Sequence, residues 1–267
     1  MSFDLDSISK GAGLRAPRIV LLGTQKIGKS TFAASSHRPI FIPIRGEEGI
    51  DDIDVKQFPT CNTLADVMEC FGTISRSDFG TTVIDSSSTL EPLIHASTCS
   101  RCPLKDGKTP ASIEKVHGGY SKGYVEALSD WRRITESLDE LRRTKNMASI
   151  IIGHVKVKRF DDPAGLSYDQ WQWDIHDKAA SLLYRWCDCI LFCHKKTAVT
   201  KEDVGFSKTV QKGKDISGGM RFLFTQESPS HPGGGRGVYG RLPEELPLSW
   251  EAFQNAITNQ LAFEQQQ

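Results

Sequence analysis

Gly23-Thr24-Gln25-Lys26-Ile27-Gly28-Lys29-Ser30 is the stretch from which the rest of the sequence is read. The octet fits G-x-x-x-x-G-K-[S/T] at every constrained position. Glycines let the backbone turn so that its N–H groups point inward around phosphate oxygens. Lys29 places a point charge on the β- and γ-phosphates, and the Ser30 hydroxyl suits Mg²⁺. Thr31 follows directly and joins residues 23–30 as a nucleotide-contacting position. Upstream, Arg18-Ile19-Val20-Leu21-Leu22 is short, apolar and partly β-branched, which predicts a buried central strand ended by Gly23. Downstream, a helix is expected over 29–36, with an N-terminus that favours anions.

Working outward, residues 39–44, 81–84, 148–152, 189–193 and 221–225 read as further strands. Val125, Leu128, Trp131, Ile134, Leu138 and Leu141 fall at helical spacing, and Arg142, Arg143 and Lys145 close that helix as cations should. A shorter helix is expected over 178–186 with Asp177 as N-cap, and a last one after Pro247 capped by Ser249. Strands alternating with helices predict an α/β fold with a mostly parallel central sheet flanked by helices.

The composition fits one sizeable core. The chain has 267 residues, 38% hydrophobic and 25% charged, which is ordinary for a globular protein and excludes a disordered one. Lys plus Arg and Asp plus Glu number 33 each, so no overall field draws nucleic acid or anionic membrane, and such binding must come from local patches. No run approaches the roughly 18 apolar residues that span a bilayer, and residues 1–10 do not resemble a secretory signal. The seven cysteines are expected as free thiols of a cytosolic protein. Cys99 and Cys102 form a lone CxxC, and Cys187, Cys189, Cys193 and His194 a loose second group. Buried thiols are the favoured reading over zinc ligands.

A phosphate loop needs a carboxylate to orient Mg²⁺, expected at the end of a neighbouring strand. Asp85, ending Thr81-Thr82-Val83-Ile84, fits. Hydrolysis also needs a group that polarises water. Glu47 and Glu48 follow the second strand, whose edge is expected beside the phosphate loop. A solvated acidic turn explains the two glutamates equally well. After His154, Lys156, Lys158, Arg159 and Phe160 are followed by Tyr168, Trp171 and Trp173. Cations interleaved with aromatics suit single-stranded DNA, phosphates meeting the cations and bases stacking on the rings. Trp171 and Trp173 equally fit one face of a short strand. The stretch 97–122 carries a small excess of cations and reads as a solvated surface.

The order of strand, phosphate loop, helix, strand with Glu48-Gly49, then Val83-Ile84-Asp85-Ser86 resembles the RecA-like ATPase core. Tyr120 to Tyr124, Ile150 to His154, Lys156 to Phe160, Tyr168-Asp169 and Trp186 to Phe192 extend the likeness over roughly residues 8–250. Together they resemble phage nucleotide-binding proteins of the Sak group, implicated in single-strand annealing and recombination. The resemblance implies ATP and Mg²⁺ as cofactors, Glu48 as the catalytic glutamate, Asp85 and Ser30 on the metal side, and His154 as the polar sensor of the γ-phosphate. Lys29 belongs to the same catalytic set. It also implies a homo-oligomer in the host cytoplasm, without a membrane, with single-stranded DNA as partner. The Gly-rich loop before Arg236 departs from the motif of some relatives, and Arg236 or Arg241 is the candidate for an arginine acting across a subunit border. The expected organisation is a short extension over 1–17, a RecA-like P-loop NTPase core over 18–248, and a C-terminal helix and tail over 249–267. A P-loop kinase of a small molecule or nucleotide is the alternative. So is a nucleotide-gated mediator of a single-strand-binding protein.

Overall fold

The computed structural model describes residues 14–47, 49–162, 165–203 and 209–265. The first half of the chain runs β1 (Arg18–Gly23), α1 (Lys29–Ala34), β2 (Pro39–Pro43), β3 (Lys56–Gln57), α2 (Leu64–Ile74), β4 (Thr81–Asp85), α3 (Ser87–Arg101) and α4 (Lys122–Lys145). It continues through β5 (Ala148–Gly153), a hairpin of β6 (Val155–Phe160) and β7 (Tyr168–Trp173), α5 (Asp177–Trp186) and β8 (Cys189–His194). A second hairpin, β9 (Thr197–Asp203) and β10 (Thr209–Asp215), precedes β11 (Phe222–Phe224), β12 (Gly234–Gly235), β13 (Glu245–Pro247) and α6 (Trp250–Gln265).

Nine strands form one sheet in the order β13-β11-β8-β1-β5-β4-β2-β3, with β12 also paired to β8. The strands from β8 to β3 are parallel, while β11, β12 and β13 pair antiparallel. The sequence of β1 explains its central place. Alternate side chains leave opposite faces, and both faces are buried: Val20 and Leu22 join the core under α2 to α5, Ile19 and Leu21 the core under α1 and α6. This is the α/β P-loop NTPase architecture expected from the alternation of elements.

The register aligns the carboxyl ends of the strands. Leu22 pairs with Gly153 and Pro43 with Asp85, so the segments after β1, β2, β4 and β5 emerge along one edge, where open α/β sheets bind ligands. Two expectations need correction. The second strand does not lie beside the phosphate loop, because β5 and β4 stand between β1 and β2. Asp85 likewise ends a strand one removed from β1. The segment after β2 still reaches the site, since Ile44 N–H donates to Asp85 O at 2.8 Å and steers the chain across the end of β4.

Local details differ too. The cap of α5 is His176, whose ring nitrogen accepts from Lys178 N–H at 3.2 Å, and Asp177 is the first helical residue. Ser249 accepts from Ala252 N–H at the start of α6, as expected. Part of the stretch read as a surface loop is ordered: α3 runs to Arg101, whose guanidinium bonds the buried Asp130 carboxylate at 2.8 Å. All seven cysteines are free and buried. Among the described residues no three His, Cys, Asp or Glu side chains gather as a metal site, and no helix is long and apolar enough to cross a membrane.

Candidate functional site

The loop from Gly23 to Ser30 closes tightly at the carboxyl end of β1. Gly28 has φ +109°, a left-handed conformation that L side chains rarely adopt, and a Cβ there would also meet the Arg221 guanidinium at 3.0 Å. Lys26 holds a left-handed φ of 59° as well. Strained backbone of this kind concentrates at ligand clamps.

Lys29 is buried at 5% exposure and its ammonium is fully engaged. It donates to Gly23 O at 3.0 Å and Thr24 O at 2.8 Å, and its third contact is His154 Nδ1 at 3.5 Å. An ammonium only donates, so Nδ1 is the acceptor and Nε2 carries the imidazole proton. That Nε2–H points at Glu47 Oε1, 2.6 Å away. The same oxygen accepts from Ser86 Oγ at 2.6 Å. Beside this chain, Ser30 Oγ donates to Asp85 Oδ2 at 2.7 Å. The Asp85–Ser86 peptide is cis.

Burial sets the charges. It pulls the Lys29 ammonium below its ordinary value, while Cys193, Asp85 and Glu47 act in the opposite direction. It pushes the Asp85 carboxyl up, against the lowering effect of the Ser30 hydrogen bond. Glu47 behaves differently: burial alone would raise it, but the hydrogen bonds from His154 and Ser86 outweigh burial and hold it below the usual range. Glu47 therefore stays an acceptor at neutral pH. Lys29, Ser30, Glu47, Asp85, His154 and Arg221 line one cavity of about 650 Å³.

The structure thus brings the phosphate loop, Asp85 and His154 together around one cavity. Glu48 lies outside the described residues, and its neighbour Glu47 lines the cavity. Two adjacent glutamates cannot be told apart by type. Glu47 is held by a turn in which its N–H donates to Ile44 O at 3.0 Å. Arg221 was not singled out as a site residue. No motif marks it, because it comes from 194 residues beyond Ile27 in the chain, directly before the antiparallel strand β11.

The cations and aromatics after His154 lie on the β6–β7 hairpin, in register from Val155 with Trp173 to Phe160 with Tyr168. Lys156 pairs with Asp174 at 2.9 Å, Lys158 with Asp177 at 2.9 Å, and Arg159 lies 3.9 Å from Asp161. Phe160 and Tyr168 meet near the far end with centroids 5.3 Å apart. Trp171 packs against the core with its ring 5.9 Å from that of His194, and Trp173 is buried. The tryptophans are therefore one face of a strand, and the exposed set is Lys156, Lys158 and Arg159. Arg236 and Arg241 both make contacts within the chain, Arg236 to Arg185 O and Arg241 to Glu264.

The hairpin is fixed to the site at its base. His154 N–H donates to Ser88 Oγ at 3.1 Å, and Trp173 Nε1–H donates to Ser87 Oγ at 3.0 Å. Gly153 permits this contact, since a Cβ there would come within 2.2 Å of Trp173 Nε1.

A family model described as an AAA domain matches residues 15–237. No curated protein matches the chain.

Proposed function

The chain belongs to the AAA-domain family and carries a P-loop ATPase domain, and on that premise we propose that it hydrolyses ATP at the phosphate loop and links that hydrolysis to single-stranded DNA along the β6–β7 hairpin. The observation that carries the reading is the chain of contacts from Lys29 through His154 to Glu47. It puts the phosphate-binding cation, a polar sensor and a charged acceptor within one cavity.

The residues fit Mg²⁺ and ATP. Ser30 and Asp85 offer a hydroxyl and a carboxylate 2.7 Å apart, hard oxygen donors of the kind Mg²⁺ takes beside phosphate. The metal supplies charge neutralisation of the phosphate tail. Lys29 exchanges its bonds to Gly23 O and Thr24 O for phosphate oxygens. Glu47, held ionised, accepts a proton from the attacking water, as a general base must. His154 keeps Glu47 in place and senses what Lys29 touches.

The DNA partner rests on the hairpin starting one residue after His154, so a change at Lys29 is passed through His154 along β6 to Lys156 and Lys158, two and four residues on. Phe160 and Tyr168 offer rings for stacking, and the cations offer phosphate contacts. Asp174 and Asp177 compete with phosphates for the two lysines, which makes binding modest. A role in phage recombination or annealing, assembly as an oligomer and cooperation with a single-strand-binding protein belong to the same proposal. In such an assembly Arg236 or Arg241 acts in trans only after leaving its contact within the chain.

ATP turnover measured with and without single-stranded DNA tests the link. The proposal expects stimulation that is lost when Lys158→Ala and Arg159→Ala are combined, with basal turnover kept. Turnover indifferent to DNA, or stimulated equally in the double variant, contradicts it.

A further inference from the structure

We propose that the nucleoside half of the bound nucleotide lies in the cavity between α1 and α6, and that Arg221 binds the phosphate nearest the nucleoside. The inference rests on the reading of residues 23–30 as the triphosphate site and specifies where the rest of the ligand goes.

Three cavities surround the phosphate loop, and Arg221 lines all of them. The largest holds Lys29, Ser30, Glu47, Asp85 and His154, which suits the terminal phosphates and their metal. The cavity of about 460 Å³ on the far side of Gly28 is lined by Thr31, Ser35, Leu248, Trp250, Gln254 and Arg221. Its chemistry differs. Leu248 and Trp250 give it apolar wall, and Ser35 and Gln254 add groups that both donate and accept. Glu251 also lines it, a carboxylate that disfavours phosphate and suits sugar or base N–H and O–H donors. Apolar walls with a few convergent polar groups are what a nucleoside pocket needs. Thr31, at the loop's exit, belongs to both cavities, so a nucleotide with its phosphates in the loop continues directly into the second.

Arg221 stands at the junction. Its guanidinium donates to Ile27 O at 3.3 Å and makes no ion pair with a carboxylate among the described residues. A guanidinium has five N–H donors in a fixed fork that matches phosphate, so most of this one remain for a ligand. Leu248, Trp250, Glu251 and Gln254 of this wall lie beyond residue 237, where the family match ends.

Calorimetric titration of the whole protein with ATP and with inorganic tripolyphosphate, each with Mg²⁺, separates the two halves of the site. Wild type is expected to bind ATP about tenfold or more tightly than tripolyphosphate. Ser35→Trp and Gln254→Trp, on exposed positions of opposite walls, fill the second cavity. Each is expected to weaken ATP about tenfold or more while leaving tripolyphosphate unchanged, which also shows that the variant is folded. Arg221→Ala is expected to weaken both ligands about tenfold, with partial recovery in Arg221→Lys. ATP affinity unchanged in both tryptophan variants overturns the placement of the nucleoside, and unchanged affinity in Arg221→Ala overturns its contact. A wild-type protein that binds tripolyphosphate as tightly as ATP also overturns the second cavity. One that binds neither removes the phosphate-loop reading beneath it.

Discussion

His154 Nε2 and Glu47 Oε1 lie 2.6 Å apart, and the other ring nitrogen of the same imidazole faces Lys29. The histidine thereby connects the cation proposed to meet phosphate with the carboxylate proposed to activate water. Glu47→Gln keeps the shape and the Ser86 contact but removes the charge. It is expected to lower ATP turnover about 100-fold or more with ATP affinity little changed, measured by steady-state kinetics beside equilibrium binding. Turnover within a few-fold of wild type contradicts the role given to Glu47.

The link between site and hairpin depends on close packing at Gly153. A methyl group there meets Trp173 and Leu22, at 2.2 and 2.8 Å. Gly153→Ala is expected to cost about 1–3 kcal/mol in denaturant unfolding, typical of overpacking, and to shift the emission of Trp173. An unchanged midpoint and spectrum would show that the hairpin is not docked as described.

Much of this site is legible in the sequence because each part is local. The phosphate loop, Asp85 and His154 each end a short apolar run, and a buried parallel strand announces itself by such a run. The helices α2 and α3 are harder to read from the sequence, for different reasons. In α2 the signals are present: Thr63 and Asp66 form a capping box, and Leu64, Val67, Phe71 and Ile74 fall at helical spacing. They precede no motif that draws attention. In α3 the signals are weak, since Pro92 interrupts the pattern and Ser87 and Thr98 are buried polar residues. Arg221 and α6 reach the site only through tertiary folding, which no local pattern encodes.

Asp188 ties the start of β8 to β1 and α4. Its carboxylate accepts from Arg18 N–H at 3.0 Å and the Arg18 guanidinium at 2.9 Å, and pairs with Arg142 at 3.0 Å. The three side chains are about 11–16% exposed. Asp188→Ala leaves two mostly buried guanidinium groups without this partner and is expected to cost about 3–5 kcal/mol by urea unfolding. A loss below about 1 kcal/mol would place this cluster among the weak surface pairs.

Glu91 gives the fold a pH dependence. Its two oxygens accept from His176 N–H at 2.9 Å, and burial raises its pKa to about 7. A carboxyl raised in the folded state stabilises fully below its unfolded value and loses that contribution as pH rises through about 7. Nearby His95 is lowered to about 4 by burial and by His176, so it titrates below this window. Glu91→Gln should therefore gain stability relative to wild type between about pH 5 and pH 8, read as the difference in urea midpoints at each pH. A difference that stays flat contradicts the assignment.

The central claim is that residues 23–30 grip ATP for hydrolysis through Lys29. Steady-state release of inorganic phosphate from ATP and Mg²⁺, by wild type and Lys29→Ala side by side, tests it most directly. Measurable turnover in wild type, reduced about 100-fold or more in the variant, is the predicted result. Equal turnover in the two proteins, or none in wild type, would contradict the account.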